Sequence, residues 1–317
     1  MEPIRVLVNA GVTPEVLEAI RSVSPRVEVI TGQELRELPE LIETIEVAYG
    51  GVGQEPFARA KRLRWIQTGG AGVNGLITEE VRRSPVVITN ARIHAYPLTE
   101  QIFGLLLMLT RQLHRVVLQQ QERHWDGNPM RERLGLLAGG TMLVLGPGTI
   151  GERTAIVARA FGMKVIGLRR RPEPLPYLDE TLGEADRDAA LARADVVVNL
   201  LPLTAATRHY LGLAQFARMK PTAVLINAGR GGTIDTEALM AAVRERRLAG
   251  VGLDVTDPEP LPPDHPLWSM ENVIVAPHYG GSHPGYEQHA GAVFVENLRR
   301  YVAGEPLTSV IDKDAGY

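Results

Sequence analysis

Three residues of complementary chemistry, Arg230, Glu259 and His278, each follow an apolar segment that reads as a β-strand: AVLINA, GVGLDV and NVIVAP. A guanidinium offers a planar fork of donors that can hold a carboxylate through two bonds and polarise a neighbouring carbonyl. Imidazole can give or take a proton near neutrality. A carboxylate at Glu259 beside it would orient the ring and stabilise its protonated form. Each residue alone has a plainer reading, as a strand-end ion pair, a loop acid or a turn histidine. Together, at successive strand ends of one sheet, they suit proton delivery to a polarised carbonyl.

A second site lies upstream. Gly146-Pro147-Gly148-Thr149-Ile150-Gly151 closes the apolar run TMLVL, opens a helical stretch and is followed by the run KVIGL. In that setting Gly146 permits a tight turn, Gly148 lets the backbone approach a pyrophosphate, and Gly151 lets helix and strand pack closely. The first-turn amides of the helix would receive the phosphates. Sites for NAD commonly place Asp or Glu after the second strand, to accept from the ribose hydroxyl. This chain has Leu168-Arg169-Arg170-Arg171 there instead. Guanidinium groups suit a ribose phosphate, so the reading favours NADP (as NADPH) over NAD, with NAD still possible and Arg169 and Arg170 as the contacts.

The elements that must position these residues alternate along the chain. Apolar, β-branched runs at 4–8, 27–30, 46–49, 64–67 and 86–89 are separated by helical patterns at 14–22, 38–45, 56–62 and 78–83. A long helix is expected from Leu98, because Ile102, Leu105, Leu106, Leu109, Leu113, Val116 and Val117 recur at helical spacing. A loop at 124–140 then resets the chain. Six further strands are expected at 141–145, 164–168, 195–200, 223–227, 250–254 and 273–276, with helices at 150–161, 184–194, 213–219, 236–247 and 285–302. The stretch 169–180 reads as a proline-rich loop. Strands alternating with helices predict parallel sheets covered on both faces. The expected fold class is α/β with two doubly wound parallel-sheet domains. A dinucleotide-binding domain of the Rossmann type (99–280) is inserted into a smaller flavodoxin-like domain built from 1–98 and 281–317.

Composition narrows the function classes. The 317 residues are 44% hydrophobic and 22% charged with a formal net charge of −3, which disfavours a general nucleic-acid binder. No run is long and apolar enough to span a bilayer, and the N-terminus reads as a strand rather than a targeting segment. A cytoplasmic enzyme fits. With no cysteine, disulfides, thiolate catalysis and thiolate metal sites are excluded. His278, His283 and His289 match no common metal-ligand spacing, so no metal is expected.

The stretches LVLGPGTIGERTA, VVVNLLPLTAATRHYLG, ARMKPTAVLINAGRGGTIDTEALMAAV, GVGLDVTDPEPLPPDHPLW and NVIVAPHYGG resemble, in order and spacing, the D-isomer-specific 2-hydroxyacid dehydrogenases. RWIQTGGAGVNGL and ITNARIHAYPLTEQ resemble that family more loosely. The resemblance implies reduction of a small 2-keto acid, of the glyoxylate or hydroxypyruvate kind, to the D-2-hydroxy acid by hydride transfer from NAD(P)H. It implies a catalytic triad of Arg230, Glu259 and His278, with substrate held by Arg230, His278 and the amides of Gly70 and Ala71. It places Thr149, Ile150, Leu201, Pro202, Thr207 and Ala228 around the cofactor, Asp254 against the nicotinamide carboxamide, and Thr99 nearby. It also implies a homodimer formed through the long helix and the loop after it. Two other functions suit the same scaffold: a nucleotide-sensing, corepressor-like binding protein, and a dehydrogenase of an inorganic oxyanion such as phosphite.

Overall fold

The computed structural model describes residues 2–73 and 75–316. It forms two compact units, Met1–His94 with His283–Tyr317, and Ala95–Ser282. Both are parallel-sheet α/β layers.

The first unit carries β1 (Ile4–Val8), β2 (Val27–Thr31), β3 (Val47–Tyr49), β4 (Trp65–Thr68) and β5 (Val87–Asn90). They pair in the order β2-β1-β3-β4-β5, all parallel, which is the flavodoxin-like winding. Alternate strand residues feed two cores. Leu7, Ala48, Ile66 and Ile88 enter one, while Val6, Val8, Val47, Tyr49 and Trp65 enter the other with Phe294 and Leu298 of the C-terminal helix Tyr286–Ala303. Tyr49 and Trp65 both stack on Phe294. The returning helix therefore supplies one wall of this unit.

The second unit carries β6 (Thr141–Leu145), β7 (Lys164–Leu168), β8 (Glu180–Leu182), β9 (Val196–Asn199), β10 (Val224–Asn227), β11 (Gly250–Leu253) and β12 (Val273–Val275). Their order is β12-β11-β10-β9-β6-β7-β8, again all parallel. Leu143, Leu145 and Val197 point into one core and Met142, Val144 and Val198 into the other. Strands buried on both faces read as continuous apolar runs, as parallel sheets require.

The structure corrects three expectations. The second sheet has seven strands rather than six. β8 escaped the sequence reading because it is a three-residue edge strand of ETL, only partly buried, directly after the proline-rich loop. The long helix is two helices, Ala95–Thr110 and Leu113–Gln121, broken where Gln112 takes the left-handed conformation with φ 56°. A left-handed residue costs about 1–2 kcal/mol. The Gln112 amide side chain offsets this by donating to the Leu109 carbonyl at 2.6 Å, and the Gly135 amide caps the Thr110 carbonyl at 2.8 Å. The apolar spacing continues past the break, but Leu113, Val116 and Val117 are exposed. Finally, the helix expected at 38–45 is a 3-10 helix, Pro39–Thr44, preceded by a separate helix Gly32–Glu37. Pro39 pushes Leu38 out of the helical region. A capping box between Thr31 and Glu34 starts the earlier helix.

Candidate active site

In the second unit the winding reverses between β6 and β9, and ligands of such sheets collect beyond the carboxyl ends at that point. The loop after β6 is shaped for a phosphate. Gly146 has φ +78°, and a side-chain carbon there would meet the Leu200 carbonyl oxygen and Leu201 Cδ2 at 3.3 Å. A carbon at Gly151 would press on Val144 Cγ1 at 3.1 Å, whereas at Gly148 it would meet nothing within 4 Å. Gly148 thus borders open space at the start of the helix Thr149–Ala160, which has no side-chain cap on its first amides. Tyr177 donates to the Pro147 carbonyl at 3.0 Å and braces the loop. These features fit a bound dinucleotide pyrophosphate. Arg169 and Arg170 stand just past β7, the first half-buried and the second exposed.

Leu201 and Pro202 follow β9 and lie half-buried, and Ala228 follows β10 in the core. Thr207 turns into its own loop, donating to the Pro202 carbonyl at 2.5 Å and accepting from the Thr204 amide at 2.8 Å. Thr99 is buried beside Thr154, their hydroxyls 3.4 Å apart.

Arg230 follows β10 in extended backbone with φ −141°. Under it lies a buried polar network that the sequence reading missed. Asn199 donates to Asn227 Oδ1 at 3.0 Å and to Thr233 Oγ1 at 2.6 Å. Asn227 and Thr233 in turn donate to the Arg230 carbonyl at 3.3 and 2.6 Å. The signal was available: an asparagine ends each of the apolar strands VVVN and VLIN. Buried polar groups of this kind are satisfied and hold one geometry. Gly229 and Gly231 matter equally. A side-chain carbon at Gly229 would lie 2.7 Å from the Leu201 carbonyl oxygen, and one at Gly231 would lie 1.8 Å from that of Thr256. Burial pulls the Arg230 guanidinium below its ordinary range, and the charge of Glu259 opposes that pull. Arg230 still carries its charge at any physiological pH.

Glu259 sits in the loop after β11, with cis bonds before Pro258 and Pro260. Thr236 and Thr256 hold this loop by donating to the carbonyls of Asp257 and Pro258 at 2.8 and 2.9 Å. Its carboxylate Oε1 is hydrogen-bonded to His278 Nδ1. His278 follows β12 with φ 51°, and its amide donates to the Asp254 carbonyl at 2.9 Å. Asp254 is buried, and its Oδ1 accepts from the Gly280 amide at 3.1 Å and from Gln101 Nε2 at 3.2 Å. Burial raises its carboxyl above the usual range, partly opposed by the Gly280 bond. The second unit therefore gathers Arg230, Asp254, Glu259 and His278 on the ends of neighbouring strands.

Gly70 and Ala71 belong to the first unit, in the loop after β4. Thr68 Oγ1 donates to the Gly70 carbonyl at 2.9 Å and Asn90 Nδ2 to that of Ala71 at 2.7 Å. Tyr286 donates to the Gly69 carbonyl at 2.9 Å, and His94 Nε2 lies 3.3 Å from the same phenol oxygen. Burial keeps the Tyr286 phenol above its ordinary range, and so protonated. His283 and His289 stack and share a 2.9 Å bond. Among the described residues no helix is long and apolar enough to cross a membrane.

Residues 103–280 match the family model described as D-isomer specific 2-hydroxyacid dehydrogenase, NAD binding domain. A structure of a D-isomer specific 2-hydroxyacid dehydrogenase family protein from Aeromonas salmonicida is similar, with TM-score 0.87 and 32% identity, over 99% of this chain and 100% of that one. The NADPH-dependent glyoxylate/hydroxypyruvate reductase of Sinorhizobium meliloti, in complex with NADP and sulfate, is similar with TM-score 0.85 and 30% identity, over 99% and 100%. The D-3-phosphoglycerate dehydrogenase of Methanocaldococcus jannaschii is 30% identical over 98% of this chain, which spans 59% of that protein's length.

Proposed function

The chain belongs to the D-isomer specific 2-hydroxyacid dehydrogenase family of NAD(P)-dependent enzymes, and we propose that it reduces a small 2-keto acid to the D-2-hydroxy acid with NADPH preferred. The observation that carries this reading is the hydrogen-bonded pair of His278 and Glu259, on the two strand ends next in the sheet to that of Arg230.

When bound, the nicotinamide supplies hydride to the substrate's carbonyl carbon. The rest falls to this chain's residues. Arg230 holds the carboxylate and polarises the carbonyl. Glu259 occupies Nδ1 of His278, so Nε2 is the nitrogen that gives its proton to the carbonyl oxygen, and takes it back in the reverse reaction. Asp254, already oriented by Gly280 and Gln101, accepts from the carboxamide. The amides of Gly70 and Ala71 bind the substrate carboxylate.

NADPH preference rests on Arg169 and Arg170 at the end of β7, where an acid would serve NAD. The NADP-bound reductase of Sinorhizobium meliloti supports it, and supports glyoxylate or hydroxypyruvate as substrate. A homodimer belongs to the same proposal. Val117, Leu118 and Trp125 are exposed apolar side chains that a partner copy would cover. Cytoplasmic residence is part of it too. The test is a screen of 2-keto acids with NADPH and NADH, followed by nicotinamide absorbance; no turnover on any of them would sink the reading.

A further inference from the structure

We propose that Tyr286, Thr68 and Asn90 are positioning residues that aim a row of backbone amides, Gly70 to Gly72, at the substrate carboxylate. The inference rests on the proposed clamp role of Gly70 and Ala71 and says what builds that clamp. Three consecutive carbonyls of this loop are each taken by a different side chain: Gly69 by Tyr286, Gly70 by Thr68 and Ala71 by Asn90. In a planar trans peptide the C=O of one residue and the N–H of the next point in opposite directions. Holding each carbonyl therefore fixes the direction of the amide that follows it, at Gly70, Ala71 and Gly72. Among the described residues none of those three amides has an acceptor. Successive amides facing one way form an anion-binding concavity. A carboxylate is one anion that such a row accepts.

The three donors come from distant parts of the chain. Thr68 ends β4, Asn90 ends β5, and Tyr286 opens the C-terminal helix, 217 residues from Gly69. Tyr286 is itself fixed. Its hydrogen goes to Gly69, so the nearby His94 Nε2 must be the donor to the phenol oxygen. His94 and Tyr286 thus form a relay that ends on the clamp rather than on substrate. None of these side chains touches the reacting atoms in this account.

The experiment compares full-length wild type with Tyr286→Phe, Thr68→Val and Thr68→Ser. Readouts are kcat and KM for the best 2-keto acid, KM for NADPH, and calorimetric binding of oxalate, an unreactive planar dicarboxylate, in the presence of NADPH. Losing one aimed charge-assisted amide contact should raise the keto acid KM, and the oxalate Kd with it, about tenfold. Expected alongside are a kcat within about twofold and an unchanged KM for NADPH. Thr68→Ser keeps the hydroxyl and should behave as wild type. An unchanged keto acid KM and oxalate Kd in Tyr286→Phe would overturn the proposal, as would a loss confined to kcat. Should Thr68→Val not fold, Tyr286→Phe decides alone. Should wild type reduce no keto acid, the reductase reading falls by itself, and the oxalate arm still decides. Binding weakened by Tyr286→Phe upholds the positioning role, and no binding by wild type removes it.

Discussion

The backbone of Gly231 passes so close to Thr256 that a methyl group on Gly231 would sit 1.8 Å from the Thr256 carbonyl oxygen. This contact seats the loop carrying Glu259 against the loop carrying Arg230, whose guanidinium senses the charge of Glu259. Both partners at the clash are backbone, so nothing flexible can yield. Gly231→Ala should lower stability by about 1–3 kcal/mol, the ordinary cost of overpacking. It should also displace Glu259 and reduce kcat. Thermal unfolding and steady-state kinetics on one sample would check both. An unchanged melting temperature would show that the loops part without cost.

Removing the proposed proton donor separates chemistry from binding. His278→Ala should lower kcat by about two to four orders of magnitude, the usual worth of a positioned general acid. Its KM for NADPH should hold. Glu259→Gln keeps the shape but not the charge, and should lower kcat less than His278→Ala does. The reverse ranking would reassign the pair.

The two glycines of the dinucleotide loop should respond in opposite ways. Gly148→Ala adds a carbon into open space in an extended backbone. It should leave the melting temperature unchanged while raising the cofactor Kd, because the carbon intrudes where backbone meets pyrophosphate. Gly151→Ala would press on Val144 at 3.1 Å and should lower the melting temperature. Cofactor titration and thermal melts of the two variants test this contrast.

Cofactor choice should follow the arginines after β7. Arg169→Ala with Arg170→Ala should raise KM for NADPH at least tenfold, as expected when charge-assisted bonds to a phosphate are lost. KM for NADH should barely move. If wild type uses NADH better than NADPH, the role given to these arginines is wrong.

Glu271 should leave a signature in acid. Its bonds to Arg115, and then to Arg133, hold its carboxyl down at about 2. A depressed carboxyl adds stability above its ordinary value of 4.5 and loses it as pH falls toward about 2. Because Glu271 is exposed, the contribution should stay under about 1 kcal/mol. Glu271→Gln should thus melt slightly below wild type at neutral pH, and the gap should close through that acidic window. A gap that widens in acid would contradict the assignment.

Much of this was legible in the residues themselves. Buried parallel strands such as TMLVL and VVVN are continuous apolar runs, and glycine spacing announces a phosphate loop because only glycine suits those turns. Local chemistry also sets where Arg230, Glu259 and His278 fall relative to their strands. Other features are decided by what lies alongside in space. The edge strand β8 exists because β7 offers it a ladder, and its own three residues carry no apolar pattern. The break at Gln112 hides in an unbroken apolar spacing, since part of its compensation comes from Gly135, far along the chain. Glu259 meets His278 only because the neighbouring strands β11 and β12 bring their loops together. The loop of Gly70 and Ala71 is held by Tyr286, a residue whose part could not be read from spacing because hydrogen bonds of that span are made by the fold alone.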